Sequence, residues 1–214
     1  MVAVIIAAAL AAFGHTAAAS RAPSPRQGEA DALVQELREL PAPWPFATAP
    51  SDGVPRPLEV LQDRLYEQLR QLGDTAWPAL SQGLSDPDVR VRRSVLIYLN
   101  SLGVAFPSGP PKTDFQPCLP ALIGALRDDD QYVRYWSAQM IALLGSKAAS
   151  AVPALIARLS EPDDPARRDV LLALGQIGAA ASAALPAVRN MLADPNADMR
   201  RFAQLAIDKI QGSR

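Results

Sequence analysis

Pro120, Pro153 and Pro186 stand 33 residues apart, and much of the second half of the chain repeats at that interval. A unit of this length cannot enclose a core alone. It buries its apolar face on its neighbours, so the chain is constrained to a one-dimensional stack. Positions are counted from each proline, with Pro78 opening an earlier and longer copy. Thirteen places on come Val91, Val133, Ala166 and Met199, and the next place is always arginine: Arg92, Arg134, Arg167 and Arg200. Twenty-one on are Leu99, Ile141, Leu174 and Ile207, and twenty-four on are Leu102, Leu144, Ile177 and Ile210. The next place gives Gly103, Gly145 and Gly178, with Gly212 one place late in the last copy. Eight places on is an acid in every copy: Asp86, Asp128, Glu161 and Asp194.

One unit reads as two helices. Proline suits the first turn of a helix, where its missing N–H would have no partner. It therefore opens a helix A of about eight to ten residues, as in 153–159. Polar turns follow at 85–88, 127–130, 160–164 and 193–196, whose Asp and Asn residues can cap the next helix. Helix B then places Val133, Ser137, Ile141 and Leu144 on one side. It stops at the glycine, which is expected to take the left-handed conformation.

An Asp-Pro-type turn, a Val-Arg start to helix B and an Ala-Leu-Gly-type ending resemble HEAT repeats, in the short variety named after phycobilisome-lyase repeats. The resemblance covers about residues 74–212. It implies an all-α, ARM-like right-handed superhelix of about five helix pairs, with helices B lining the concave face. It also implies that the turn acid and the helix-B arginine form a ladder between adjacent units. That ladder would use Arg92, Arg134, Arg167 and Arg200 with Asp86, Asp128, Glu161 and Asp194. The alternative is a row of anion-binding arginines. Lyase chemistry does not follow, since fold and function are separable.

The chain has 214 residues, 49% of them hydrophobic, and a net charge of −1. Phosphate binding calls for a basic surface, so nucleic acid is not the expected partner. A local basic stripe remains open, because Arg93, Arg168 and Arg201 share a place with Tyr135. The single cysteine, Cys118, excludes an intrachain disulfide. It reads as a small buried residue, since a reactive thiol needs a nearby base and His15, the one histidine, lies in the leader.

The amino terminus carries an apolar run, Val2 to Phe13, followed by Ala17-Ala18-Ala19 before Ser20. It reads as a signal-peptide-like leader over 1–19 without a basic start, and the expectation is export to the periplasm or medium. The run is too short for a confident membrane span; an uncleaved anchor and a cytoplasmic protein are the alternatives. Residues 20–29 read as a flexible spacer. Residues 30–73 read as degenerate capping helices, Ala30 to Leu40 and Leu58 to Leu72, around a proline-rich loop with Trp44 and Phe46. Four repeats fill 74–214, and nine extra residues in the first fall at 104–117. That insertion either tucks Phe106 and Phe115 onto the stack or binds a partner.

Little in the chain suggests catalysis. The repeats contain no histidine, no paired His-Glu motif and no glycine-rich phosphate loop. Asp128-Asp129-Asp130 reads as a capping turn, because a hard cation needs further converging oxygens. Trp136, Arg168 and Asp169 are residue types used by some HEAT-like DNA glycosylases, but here without the basic surface. The expectation is therefore no enzyme, metal or cofactor. Sixteen places after the proline come Ser94, Trp136, Asp169 and Phe202. Aromatics and arginine on a curved surface suit binding anchors. Tyr135, Trp136 and Arg168, with Arg93 and Arg201 beside them, are the candidate centre of a groove for a protein or peptide. Packing of Trp136 between helices is the competing reading. A scaffold is the expected function; the alternative is an accessory subunit or chaperone for a cofactor-bearing enzyme.

Overall fold

The computed structural model describes residues 24–39, 57–103, 114–161 and 165–212. Among them ten α-helices follow one another: α1 (Pro25–Glu36), α2 (Pro57–Leu72), α3 (Trp77–Gly83), α4 (Val89–Gly103), α5 (Leu119–Ala125), α6 (Gln131–Leu144), α7 (Val152–Leu159), α8 (Arg167–Ile177), α9 (Leu185–Asn190) and α10 (Ala197–Gln211). They form five successive pairs, and no strand occurs among the described residues. Helices α4, α6, α8 and α10 pack on one another as a continuous row. The core runs along the whole stack, with Val91, Val133, Val170, Leu99, Ile141 and Leu174 fully buried. The leader, Trp44, Phe46, Phe106 and most of the insertion lie outside the described residues.

Helix α7 has the expected eight residues, and the other helices A are shorter, at six or seven. The connections between the closing glycine and the next helix A, to which the sequence assigns no structure, are 3-10 spiral at Gly73–Ala76, Gly145–Ala151 and Gly178–Ala184. The closing glycines also depart from expectation. Gly145 (φ 55°, ψ −135°) and Gly178 (φ 69°, ψ −140°) lie outside the left-handed helical well, while Gly212 (φ 69°, ψ 16°) lies within it. The first two occupy a region essentially restricted to glycine. From there the backbone swings directly into the 3-10 turn, whereas Gly212 simply ends α10.

The spacer expected at 20–29 is partly helix. Ser24 accepts a hydrogen bond from the Gln27 N–H at 3.2 Å, and Pro25 occupies the first turn, so α1 starts five residues before Ala30. Ala30, Leu33, Val34 and Leu37 of the first pair are buried. The Tyr66 hydroxyl donates to the Ser94 carbonyl at 3.2 Å and ties α2 to α4. Phe115 is fully buried, so the described end of the insertion packs onto the stack. Cys118 is buried too, and burial pushes its thiol up to about 11 despite a hydrogen bond from Ser81. The stretches Gln131–Leu159 and Arg167–Ala193 are apolar and long enough to cross a membrane by composition. Each nevertheless breaks into two helices at a glycine and packs within the stack.

Candidate functional site

The turn edge of the stack is organised by arginine–aspartate pairs between successive units. Arg92 faces Asp128 with both ends of its guanidinium, Nε at 2.7 Å from Oδ2 and Nη2 at 2.9 Å from Oδ1. Arg167 Nη2 lies 2.6 Å from Asp194 Oδ2. Arg92, Arg134 and Arg200 also grip their own turns. Arg92 donates to the Asp86 carbonyl, Arg134 to that of Asp128 and Arg200 to that of Asp194, at 2.7–2.8 Å. Each acid closes its turn as well. Asp86, Asp128 and Asp194 accept from the N–H two residues on, at 2.8–2.9 Å.

Glu161 differs. It is exposed and makes no ion pair among the described residues. The partner of Asp86 also differs from the ladder read in sequence. It is Arg38, just past α1, with Nη2 at 2.8 Å from Oδ2. Eleven residues before the closing glycine, where Arg92, Arg134 and Arg167 stand, α2 has Gln62. The rung therefore comes from the other side of the capping pair, and nothing in the period could have announced it.

One place further along helix B lies the outward face of the row. Arg93 is not available there. Its Nε donates to Asp130 Oδ1 at 3.0 Å, its Nη2 pairs with Oδ2, and its guanidinium stacks 4.9 Å over the Tyr132 ring. Burial raises the Asp130 carboxyl, but Arg93 and two backbone N–H groups outweigh it and hold the pKa below the usual range. Asp130 also caps α6, accepting from the N–H groups of Tyr132 and Val133. Its place, ten after the proline, is filled by Asp88, Asp130, Asp163 and Asn196, a recurrence legible in the sequence but not singled out there.

Tyr135 and Trp136 are both half-buried and meet edge to face at 5.2 Å and 84°. Trp136 packs against the core, and its shielded Nε1 has no hydrogen-bond partner among the described residues. Tyr135 is the more available of the two, since it borders a cleft beside Arg168. Arg168 is exposed, lies 5.7 Å from the Phe202 ring and approaches Asp169 Oδ1 at 3.5 Å. Asp169 is buried at 1% exposure and accepts from Gln139 Nε2 at 2.6 Å. Arg201 is exposed in the next helix, and Leu143 and Leu205 expose apolar surface along the same row.

Burial raises the Asp169 carboxyl above its ordinary value, with Arg168 and Gln139 opposing. The folded protein therefore holds this proton to higher pH than the unfolded chain, and stability falls as pH rises from the unfolded pKa through the folded one. Asp169→Asn keeps an oxygen to accept from Gln139 and removes the charge. It is expected to raise the thermal midpoint at neutral pH and flatten that decline. Melts of both proteins from pH 4 to pH 7 check this; parallel pH profiles would remove the assignment.

The repeat geometry has a counterpart among known proteins, because residues 119–208 match the HEAT-repeat family. The match spans 90 of the chain's 214 residues. In solved structures the stack is similar to a designed armadillo repeat protein in complex with the peptide (KR)4. The TM-score is 0.57 at 17% identity, over 86% of this chain and 82% of that one. It is also similar to the complex of CpcE and CpcF of phycocyanin lyase from Nostoc sp. PCC7120. There the TM-score is 0.53 at 24% identity, over 80% of this chain and 71% of that one. An engineered protein is similar at a TM-score of 0.56 and 17% identity, over 87% and 81% of the two chains. No curated protein matches the sequence. At these identities the likenesses establish the fold, an α-solenoid of armadillo and HEAT type. Arg92 and Arg167 join successive units along the turn edge, and Arg134 and Arg200 hold their own turns there. Tyr135, Arg168 and Arg201 stand beside that edge on the open face.

Proposed function

We propose that this chain is a non-catalytic interaction scaffold that binds a protein or peptide along the face formed by α4, α6, α8 and α10. The observation that carries this is the cluster of Tyr135, Trp136 and Arg168 on rigid helices. Tyrosine, tryptophan and arginine gain large contact area with modest loss of freedom, and they dominate interface energetics. A stack held by cross-unit pairs presents such a surface ready-made, which limits the ordering penalty on binding. The peptide-bound designed armadillo protein has the same fold and supports a peptide as the occupant class.

The test is capture from extract of the native host by the full chain and by Tyr135→Ala/Arg168→Gln, with circular dichroism showing that both are folded. A partner retained by the first and reduced at least about tenfold with the second is expected for loss of two anchors. Equal retention by both would move binding off this face. A second reading is an accessory subunit for a cofactor-bearing enzyme. It draws on the likeness to the CpcE and CpcF complex of phycocyanin lyase. A visible absorption band that co-purifies with the protein would favour it.

A further inference from the structure

We propose that the seam between α6, α8 and α10 takes a carboxylate from the partner, an aspartate or glutamate side chain seated on Arg168, with a neighbouring apolar side chain beside Tyr135. This rests on the reading of the helix-B face as the binding surface and adds the chemistry that surface selects. The argument is a comparison of two equivalent positions in the repeat. Arg93 and Arg168 both stand fifteen places after their prolines. Arg93 reaches into the next unit and finds Asp130, ten places after Pro120. The residue at the equivalent place in the next unit, ten places after Pro186, is Asn196, which lines the same cleft as Arg168.

The exchange separates two jobs that Asp130 performs together. Asparagine still caps, since Asn196 Oδ1 accepts from the Asp198 N–H at 2.8 Å. It cannot supply the negative charge, and its amide nitrogen is a donor as a guanidinium is. Side-chain exposure follows: 22% for Arg93 but 49% for Arg168. The one carboxylate that Arg168 approaches among the described residues is Asp169 at 3.5 Å, and that oxygen already accepts from Gln139 at 2.6 Å. The remaining guanidinium donors border a cleft of about 660 Å³, lined among others by Tyr135, Met199 and Asp198. Asp194 also lines it but is committed to Arg167. Asp198 also lines the cleft and opposes an incoming carboxylate, and Arg201 follows it three residues on in α10. An apolar slot of about 200 Å³ adjoins, bordered by Tyr132, Tyr135 and Pro165. A planar guanidinium set against the Phe202 ring is oriented for two-point binding of a carboxylate. The ligand group would thus occupy, at this junction, the role that Asp130 fills one unit earlier.

The test is selection of a random phage-displayed peptide library on the immobilised full chain, followed by synthesis of the recovered peptides. Recovered peptides are expected to carry Asp or Glu next to a large apolar residue. Exchange of that acid for its amide is expected to weaken binding about tenfold or more on the wild type, and by little on Arg168→Gln. Equal weakening on both proteins, or none on the wild type, would overturn the carboxylate assignment. Peptides that lack an acid but are lost with Tyr135→Ala would overturn it while leaving the binding face in place. Peptides indifferent to Tyr135→Ala and Arg168→Gln would overturn both.

Discussion

Asp128→Ala is expected to destabilise the stack by about 3 kcal/mol, the lower end of the range for breaking a buried ion pair. The reasons are local and cumulative. Asp128 and Arg92 are 11% and 15% exposed, so alanine leaves a largely buried guanidinium without its carboxylate. The same substitution removes the acceptor for the Asp130 N–H, and with it the turn that positions the cap of α6. Asp128→Asn separates these effects. It keeps an oxygen for the turn and loses only the charge, so its destabilisation is expected to be about half as large. A cycle with Arg92→Ala isolates the pair itself. Urea melts followed by circular dichroism measure the wild type and all four variants. An Asp128→Ala midpoint equal to the wild type would show that the unit junction does not depend on this rung.

Gly178→Ala is the second large effect, expected at about 1–3 kcal/mol for placing a side chain in a backbone region reserved for glycine. Space is not the obstacle: the nearest atom to an added Cβ is the Lys209 carbonyl oxygen, at an ordinary 3.9 Å. The penalty comes from φ 69° and ψ −140°. Gly124→Ala supplies the contrast. Gly124 lies within α5 with nothing within 4 Å of its Cβ position. Alanine there is expected to be stabilising by up to about 1 kcal/mol, because it restricts the unfolded chain without straining the folded one. Thermal melts of the two variants should therefore shift in opposite directions. A shift in the same direction would contradict the conformational account of Gly178.

The stack itself was legible because the period is a packing constraint repeated in four copies. A buried Val133, Ile141 or Leu144 has to recur wherever a neighbouring unit must be covered. The rungs were less legible, because each joins different units and depends on side-chain length. Glutamate at 161 satisfies the pattern of acids yet is exposed and pairs with no cation among the described residues. Arg38 was invisible to the period because the capping pair has a different helix spacing. The start of α1 was marked by Ser24-Pro25, but surrounding prolines and polar residues resembled a linker. On the open face, the sequence placed Arg93 and Arg168 together. Only the neighbouring unit reveals that one guanidinium is occupied by Asp130 while the other has Asn196 at the equivalent place.

Ala148, Ala151, Ala181 and Ala184 are fully buried at corresponding places in two 3-10 segments that touch each other. A methyl group is the thinnest side chain that still fills such a contact, so these alanines act as shims on the edge opposite the turns. Thicker shims would wedge the units apart on one side and change the curvature of the whole stack. The spacing between anchors on neighbouring helices, and hence the ligand length they can span, is thus calibrated at positions no ligand touches.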